Sequence, residues 1–397
     1  IDELRRSTTA SRDIHTALNE YAPGQTIVVN EKNHVSAGVK LLGAYNKETH
    51  TRAIYHCTHC GHTDYRKNLD EGRVCPVCQN PYHGIINKDH GSYTLAYEPV
   101  GFCTDQNDDS SREEKTDKQY YDIRPVLLKT DWSQHNSINM CDIISSGEKG
   151  NILFYNVGNG HGFAFCKRCG RATIEYSATS SKESIPVSVK QGHRRLWGGD
   201  CEANDTDIAR HVVFTGNHPT CYTVLRFKKD ASSSEYENDE QLVYSLGVIL
   251  KRALAKSEGI DEGEIDFGIK QEINAWVLFI YDTAKGGCGY SLKLMNPTLC
   301  QEVFDLARKD LEQSTCNCHV DGGACARCLV DRNNYRYSHL LSKGKVVEWL
   351  NKQMNKPIDV PISISAYFMR VRIFPKSKKN SFSVVGAPSY WSVNACV

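Results

Sequence analysis

Several common features are missing from this sequence, and each absence excludes a class of protein. No apolar run reaches the roughly 18 residues that a membrane-spanning helix needs, so no membrane partner is expected. No stretch matches G-x-x-x-x-G-K-[ST], the phosphate-binding loop of P-loop ATPases. A basic start followed by an apolar core and a small-residue cleavage site, which marks a secreted protein, is also missing. Because the chain opens on Ile1, we expect either a piece of a larger protein or a separate subunit.

An excess of charge of one sign is missing as well. The 48 Lys and Arg residues are balanced by 47 Asp and Glu, giving a net charge of +1, so any nucleic-acid surface must be local. Hydrophobic content of 40% and charged content of 24% are ordinary for a soluble globular protein. A length of 397 residues supports two or three domains with a real core.

Cysteine, in contrast, is abundant, and most of it is grouped. Twelve side chains that can bind a metal ion fall into three clusters: Cys57, Cys60, Cys75 and Cys78; Cys166, Cys169, His193 and Cys201; and Cys316, Cys318, Cys325 and Cys328. A Cys-x-x-Cys turn holds two thiolates at about the separation that a tetrahedral ion with Zn–S near ~2.3 Å requires, and a second pair closes the shell. We therefore predict about three structural zinc ions. The donors of the second cluster are more dispersed, and its fourth ligand stays open at this point.

A disulfide framework is the alternative explanation of 17 cysteines. It is disfavoured because the chain is far longer than a disulfide-stapled miniprotein and its cysteines come in short pairs. The remaining cysteines are expected to be ordinary buried or free thiols: Cys103, Cys141, Cys221, Cys288, Cys300 and Cys396. Reduced thiols predict a cytoplasmic protein.

The chain pattern predicts an α+β fold, with a β-rich N-terminal half that carries a zinc ribbon and knuckles, and a mixed α/β zinc-binding C-terminal domain. We predict five segments: 1–52, a β-rich lead-in; 53–80, a zinc ribbon; 81–230, a β-rich domain with the second zinc knuckle; 231–350, an α/β zinc-binding domain; and 351–397, a strand-rich tail. The polar, serine-rich interval 228–239 marks the main boundary.

Beyond that boundary the apolar period changes. Stripes with 3.6-residue spacing run from Leu242 to Ala253 and from Cys300 to Leu311, and each predicts a helix with one buried face. The continuous apolar run 276–281 predicts a buried central strand.

Motifs in both halves resemble one known architecture. They are 282–290 (Asp-Thr-Ala-Lys-Gly-Gly-Cys-Gly-Tyr), Cys316-x-Cys318, Cys325-x-x-Cys328-Leu329 and Asn334, preceded by 21–24 (Tyr-Ala-Pro-Gly), 99–102 (Pro-Val-Gly-Phe), 156–158 (Asn-Val-Gly) and Cys166-x-x-Cys169-Gly170. Their order resembles the MrfA-like zinc-binding C-terminal domain of DEAD/DEAH-box (superfamily 2) helicases, together with the region that precedes it. The resemblance covers most of residues 10–345. It departs at Cys288, where a small residue is usual, and in the tail after Leu350.

The resemblance implies an accessory region of an ATP-dependent helicase or translocase. Its implied partners are DNA or RNA and a helicase motor, which lies in the same parent chain or in a partner subunit. Relatives of this architecture occur in a DNA-repair helicase and in phage-defence systems such as Druantia and DISARM, so both pathways are implied. No catalytic or cofactor-binding residue is assigned to this chain.

Basic residues next to the predicted zinc turns are the candidate nucleic-acid contacts. They are Arg66, Lys67 and Arg73 at the first cluster, and Lys167, Arg168, Arg171, Arg194 and Arg195 at the second. Cations on a rigid turn can bind phosphates without sequence preference. The alternative is that these side chains only solvate exposed turns.

Two other functions remain open from the sequence. A metal-dependent nuclease would need magnesium ligands, and the candidates are Asp261, Glu262, Glu264, Asp266 and Asp282. A protein-interaction scaffold would use the stretch 281–290, where Gly286, Gly287 and Gly289 permit close backbone approach. For that stretch we favour a tight turn that leads into the next helix.

Overall fold

The computed structural model describes most of the chain. The described residues are 12–29, 32–41, 51–86, 91–105, 121, 123–128, 134–147, 150–177, 181–228, 240–272, 275–332 and 334–354, with backbone alone at 372–375 and 382–385. The chain divides into two compact units, one of Ile1–Lys129 with Asn151–Pro219 and the other of Thr130–Gly150 with Thr220–Val397. The five-segment division stays a prediction, and the predicted boundary at 228–239 lies almost wholly outside the described residues.

Strands outnumber helices in the described residues. The strands are β1 (Thr26–Val29), β2 (Lys32–Val39), β3 (Thr51–His56), β4 (Thr63–Arg66), β5 (Thr94–Tyr97), β6 (Phe102–Thr104), β7 (Arg124–Leu127), β8 (Gln134–Ser137), β9 (Asp142–Ser145), β10 (Asn151–Asn156), β11 (Phe163–Cys166), β12 (Ala172–Ile174), β13 (Ile208–Pro219), β14 (Tyr222–Lys228), β15 (Ile265–Gln271), β16 (Ala275–Asp282), β17 (Arg372–Pro375) and β18 (Phe382–Val385). The α-helices are α1 (Ile14–Glu20), α2 (Glu240–Glu258), α3 (Pro297–Gln313), α4 (Cys318–Asp321) and α5 (Lys343–Met354). Short 3-10 helices cover Asp205–Asp207, Glu262–Glu264, Ser291–Met295 and Tyr335–Leu340. This mixture confirms the predicted α+β class.

The first unit is built around β13. The N-terminal part of this strand pairs with β11 and its C-terminal part with β10, both antiparallel, while Val213 and Phe214 pair in parallel with β5. The sheet continues from β5 to β3 and β4, and a separate three-stranded sheet has the order β1-β2-β6. Aromatic side chains of neighbouring strands pack against one another on this sheet, and the ring centroids of Phe163 and Phe214 lie 4.5 Å apart. Because β3 leads into Cys57 and β11 ends on Cys166, this sheet places two of the three clusters.

The second unit contains an antiparallel five-stranded sheet in the order β15-β16-β14-β9-β8. Its strand β16 pairs with β14 along one edge and with β15 along the other, as the apolar run 276–281 predicted. The described side chains from Val277 to Tyr281 are all buried. The strands β8 and β9 were not predicted, because β8 is polar and exposed along its whole length and β9 has only four residues.

The helices of the second unit cover this sheet and confirm the predicted stripes. In α2 the buried face includes Leu246, Ile249 and Leu250, and in α3 it includes Phe304 and Ala307. Burial of such a face is the main source of helix stability in proteins. The helix α3 begins cleanly because the Asn296 side chain accepts the backbone N–H of Thr298 and Pro297 occupies its first turn.

The strand-rich tail is described only in part. The strands β17 and β18 pair antiparallel, and the other residues of 355–397 lie outside the described part of the chain.

Candidate metal centres and nucleic-acid interface

The first cluster brings together the four cysteines that the spacing predicted. All donor atoms of Cys57, Cys60, Cys75 and Cys78 lie within 4.8 Å of one another. The two turns face each other, with 3.4 Å between the Sγ atoms of Cys57 and Cys78 and 3.5 Å between those of Cys60 and Cys75. Each Cys-x-x-Cys turn of the predicted ribbon therefore supplies two of the four donors, Cys57 and Cys60 from the first and Cys75 and Cys78 from the second.

One backbone pattern recurs in the Cys-x-x-Cys turns that begin at Cys57, Cys75 and Cys166. The N–H of the first cysteine donates to the carbonyl five residues later, and the N–H four residues later donates back to the carbonyl of that cysteine, at 2.8–2.9 Å. The residue four positions after the cysteine has a positive φ in each turn, and the three are Gly61 (68°), Gln79 (60°) and Gly170 (77°). Two of the three turns thus use glycine where the backbone is left-handed.

The second cluster consists of three cysteines and one histidine. The donor atoms of Cys166, Cys169, His193 and Cys201 lie within 4.8 Å of one another, so the structure brings His193 and Cys201 to the knuckle as predicted. The Nδ1 of His193 is 2.9 Å from the carbonyl of Lys190, and its Nε2 is 3.2 Å from the Sγ of Cys169. A proton on Nδ1 donated to that carbonyl leaves Nε2 free to bind the metal.

The third cluster lies in the second unit and has a buried cation beside it. Cys316, Cys318, Cys325 and Cys328 place their sulfur atoms within 4.8 Å of one another. Lys343, at the start of α5, is fully buried. Its Nζ donates to the Oγ of Ser314 at 2.5 Å and lies 3.3 Å from the carbonyl and 3.5 Å from the Sγ of Cys316. The ammonium therefore touches a ligand of this site directly.

Arg252 holds the second half of the third cluster in place. This side chain of α2 donates to the carbonyls of Cys328 and Leu329 at 2.7 and 3.0 Å, and it pairs with Asp331 at 2.7 Å. Asn334 closes the same loop, because its Nδ2 donates to the carbonyl of Leu329 at 2.9 Å. A helix of the core thus fixes the position of the knuckle.

The thiols of the clusters differ in how readily they ionise, because hydrogen bonds lower the pKa of some, whereas burial raises the pKa of Cys60 and a hydrogen bond with Cys166, together with burial, raises that of Cys169. A hydrogen bond from the side chain of Asn80 lowers the pKa of Cys78 to about 6. At Cys166 the largest cause is a hydrogen bond with the side chain of Cys169, and the pKa of Cys166 is lowered to about 5. Burial raises the pKa of Cys57, so a bound cation supplies the charge that lets this thiol ionise.

The donor sets fit zinc. Tetrahedral coordination at ~2.3 Å separates two sulfur atoms by about 3.8 Å, and the distances at the first two clusters run from 3.4 to 3.9 Å. A disulfide needs about 2.0 Å, and the sixteen described cysteines are all free. Each cluster offers four soft or imidazole donors, which is the composition of a closed structural zinc site. The prediction of about three zinc sites is confirmed.

The basic residues of the first cluster are mostly engaged with carboxylates. Arg66 pairs with Asp64 at 2.7 Å, and Arg73 lies 3.6 Å from Asp64 and 3.3 Å from Asp70. Lys67 is exposed. The cations of this turn thus partly neutralise acidic neighbours.

At the second cluster the basic residues divide between structural and exposed positions. Arg168 pairs with Asp207 at 2.8 Å, and Lys167 donates to the carbonyl of Thr206 at 2.7 Å. Arg171 is mostly buried, where it pairs with Asp105 at 2.5 Å. Arg194 is exposed and Arg195 is half-buried. The structure assigns none of these residues to a ligand, and their role in nucleic-acid contact stays a prediction.

The acidic residues proposed for magnesium do not form a metal site in the described residues, where the three cysteine clusters are the groups that qualify. Asp261 caps the N–H of Gly263 at 2.7 Å, and Asp266 pairs with Lys251 at 3.0 Å. Asp282 is fully buried and its oxygens are occupied by the protein. The nuclease hypothesis therefore lacks the carboxylate cluster on which it depends.

Asp282 instead organises the glycine-rich stretch that follows it. Its Oδ2 accepts the backbone N–H groups of Cys288, Gly289 and Tyr290 at 2.5–3.1 Å, and its Oδ1 accepts that of Ser291 at 2.8 Å. Burial opposes ionisation, but these donors together lower the pKa of Asp282 below its ordinary value. The tight-turn interpretation of 286–289 is confirmed, with a buried carboxylate as its centre.

Cys221 packs against this carboxylate. Its Sγ lies 3.2 Å from the Oδ2 of Asp282, and burial together with that negative neighbour raises its pKa to about 11. A thiol in this state is a weak nucleophile at neutral pH. The pair is therefore a structural contact.

Comparison with known proteins finds a family model for one segment and a relative that covers most of the chain. Residues 246–329 match the family model of the MrfA Zn-binding domain. The chain is also similar to the Druantia protein DruE of Escherichia coli (strain UMEA 4076-1), with 23% identity over 387 residues that cover 86% of this chain and 19% of the relative. It spans about a fifth of that relative's length.

Two solved structures of one helicase are also similar to the chain. The DUF1998 helicase MrfA bound to DNA matches 78% of this chain and 34% of its own length, at 11% identity and a TM-score of 0.36. The same helicase bound to DNA and AMPPNP matches 84% and 35%, at 10% identity and a TM-score of 0.24. Among the described residues, no helix has the length and apolarity that crossing a bilayer requires.

Proposed function

We propose that this chain is a zinc-stabilised accessory region of an ATP-dependent nucleic-acid helicase or translocase. The observation that carries the proposal is the match of residues 246–329 to the MrfA Zn-binding domain, within which Cys316, Cys318, Cys325 and Cys328 form a closed four-sulfur site. MrfA is described as a helicase. The motor lies in the same parent chain or in a partner subunit.

The similarity to DruE supports a role in bacterial antiviral defence, with DNA repair as the other pathway for this architecture. The abundance of free thiols that serve as metal ligands supports a cytoplasmic location, because such cysteines persist in a reducing compartment.

We propose that the zinc ions are structural and not catalytic. Each cluster supplies four protein donors, whereas a hydrolytic zinc keeps one position for water or substrate. The chain contributes contacts to DNA through cations that zinc turns hold at the surface. Lys67 and Arg194 are the best placed of the eight predicted contacts, because both are exposed while Arg66, Arg73, Arg168 and Arg171 already pair with carboxylates.

Salt dependence of binding tests the DNA contact. The purified chain is titrated with a generic duplex and a single strand at several salt concentrations, and we expect log K to fall linearly with log salt concentration. Replacing Lys67 or Arg194 with alanine should reduce that slope by about 1 if each contacts one phosphate. Lys309→Ala, an exposed position on α3, is the matched control and should leave the slope unchanged. A flat salt response, or no binding at all, contradicts the contact and favours the protein-interaction scaffold.

A nuclease assay separates the remaining alternative. Incubation of the chain with single-stranded and duplex DNA and magnesium should produce no cleavage. Cleavage that disappears in Asp266→Asn would reinstate the carboxylate hypothesis.

A further inference from the structure

Residues 193–201 form a short hairpin whose two ends are zinc ligands. The N–H of Cys201 donates to the carbonyl of His193 at 2.9 Å, and the N–H of Arg195 donates to the carbonyl of Gly199 at 2.8 Å. Gly198 and Gly199 make the turn with φ angles of 97° and 75°. We call this segment the zinc-anchored hairpin.

The hairpin is also held along its length. Leu196 is buried, and its Cδ1 packs directly over Gly38, where an added Cβ would come within 2.5 Å of it. The Nε of Arg171 donates to the carbonyl of Arg194 at 2.6 Å, while the same guanidinium pairs with Asp105. The hairpin thus has little freedom to collapse onto the surface of its unit.

Trp197, next to the buried Leu196, points outward and is 59% exposed. Tryptophan is enriched at interfaces because a partner that covers its ring gains a large apolar contact. Basic residues surround it in the sequence, with Lys190, Arg194 and Arg195 against Asp200 as the one carboxylate of 190–200. An aromatic ring flanked by cations matches the chemistry of unpaired nucleic acid, which offers a flat base and a phosphate at each nucleotide.

We propose that Trp197 stacks on an unpaired base of a nucleic-acid strand while Arg194 contacts the adjacent phosphate. This inference rests on the proposed nucleic-acid function and assigns its contact to a particular site. The metal ligands at both ends of the hairpin and the buried Leu196 hold the backbone that carries the ring, so little backbone entropy is lost when a base stacks on it. Because a base in a duplex is paired and already stacked on its neighbours, Trp197 selects single strands.

Equilibrium binding of a short oligothymidylate to the full chain tests the site. Trp197→Ala should weaken binding on the order of tenfold, and Trp197→Phe should retain most of the affinity because a ring is still present. The salt slope should stay the same in Trp197→Ala, since no phosphate contact is removed, whereas Arg194→Ala should lower it by about 1. Affinity for a blunt duplex should change less than twofold, on the order of experimental error, in Trp197→Ala.

Controls separate this inference from the proposed function. Tyr176→Ala, which removes another exposed aromatic of the same unit, should leave binding unchanged. The zinc content of every variant should equal that of the parent, which shows that the second cluster is intact. If the parent binds the oligonucleotide and Trp197→Ala binds equally well, the ring serves another partner, such as a protein, and the inference is wrong while the proposed function stands. If the parent does not bind, both fail.

Discussion

Lys343 shows how one side chain can determine the behaviour of a metal site. Four thiolates around one divalent ion leave a net negative charge, and burying such charge without a counter-ion is costly. The ammonium of Lys343 lies inside the second unit, in contact with Cys316 and Ser314. Its charge stabilises the ligands together with the ion.

Replacing this ammonium should weaken the third site selectively. Lys343→Met keeps the length of the side chain but leaves its polar partners unsatisfied, so the free energy of unfolding should fall by about 3 kcal/mol. One zinc of the three should then transfer faster to a colorimetric chelator. Lys309→Met on the exposed face of α3 is the control and should release zinc like the parent. Equal release by the two variants would show that the ammonium is not needed.

Asp282 is a second single residue that stabilises its surroundings, because its carboxylate accepts the backbone N–H groups of the following turn. The negative charge is needed in the folded state. Asp282→Asn should destabilise the second unit by about 3 kcal/mol at neutral pH, because an amide cannot accept all the N–H groups that meet there. The folded pKa of Asp282 lies below its ordinary value of 3.8, so the contribution is complete above that value and is lost as pH falls through the folded pKa.

Urea denaturation of parent and variant across pH measures this contribution. The difference between their midpoints should be constant near neutrality and should shrink in acid, and taking the difference removes the shared effect of zinc loss. Asp261→Asn, at an exposed cap, should cost much less. A difference that grows on acidification would contradict the ionised state assigned to Asp282.

At the scale of elements, the zinc turns share a backbone but differ in how much change they tolerate. Gly170 cannot carry a side chain, because an added Cβ would lie 2.2 Å from the carbonyl oxygen of Val39 and its φ is 77°. Gln79 occupies the equivalent position with a φ of 60°, at some cost in strain. This position therefore requires glycine in the turn of Cys166, whereas in the turn of Cys75 glycine would relieve backbone strain.

Substitutions at these two positions should have opposite signs. Gln79→Gly should raise the stability of the first site by about 0.5 kcal/mol, because relief of strain exceeds the entropy that glycine loses on folding. Gly170→Ala should cost on the order of 3 kcal/mol, since the overlap is with backbone. Zinc retention under increasing urea measures both. Loss of stability in Gln79→Gly would mean that the side chain makes a contact that outweighs the strain.

Apolar periodicity and cysteine spacing predicted the helices, the strand and the metal ligands whose pattern lies within a short stretch of sequence. The stripes of α2 and α3, the run that became β16 and all twelve clustered donors belong to this group. The polar strand β8 has no apolar alternation, so only its pairing with β9 reveals it. The contact between Lys343 and Cys316 joins residues 27 positions apart through tertiary packing, and no local pattern encodes it. The sequence around Trp197 did contain a signal of the proposed function. The tryptophan lies near Arg194 and Arg195 and directly before two glycines, in the loop between the predicted ligands His193 and Cys201, but the spacing of metal ligands gives no information about it.

At the scale of the whole molecule, the chain should hold three zinc ions, and elemental analysis of purified protein measures this number. Cys75→Ser and Cys316→Ser should each lower the content to two, because each removes a donor from one closed shell. Cys288→Ser, which changes an exposed thiol outside the clusters, should still bind three. Two zincs in the parent chain would mean that the cluster with His193 does not bind metal.

The glycine-rich turn after β16 has the backbone geometry of an anion-binding loop. Three consecutive backbone N–H groups converge on one point, as they do in loops that bind free anions, but the point is filled by the carboxylate of Asp282. That carboxylate is tethered six to eight residues away, so its effective concentration is on the order of millimolar or higher and a free phosphate competes poorly. The turn is thus an anion-binding arrangement already filled by its own chain, so the phosphate contacts of the proposed function fall to cations at the surface.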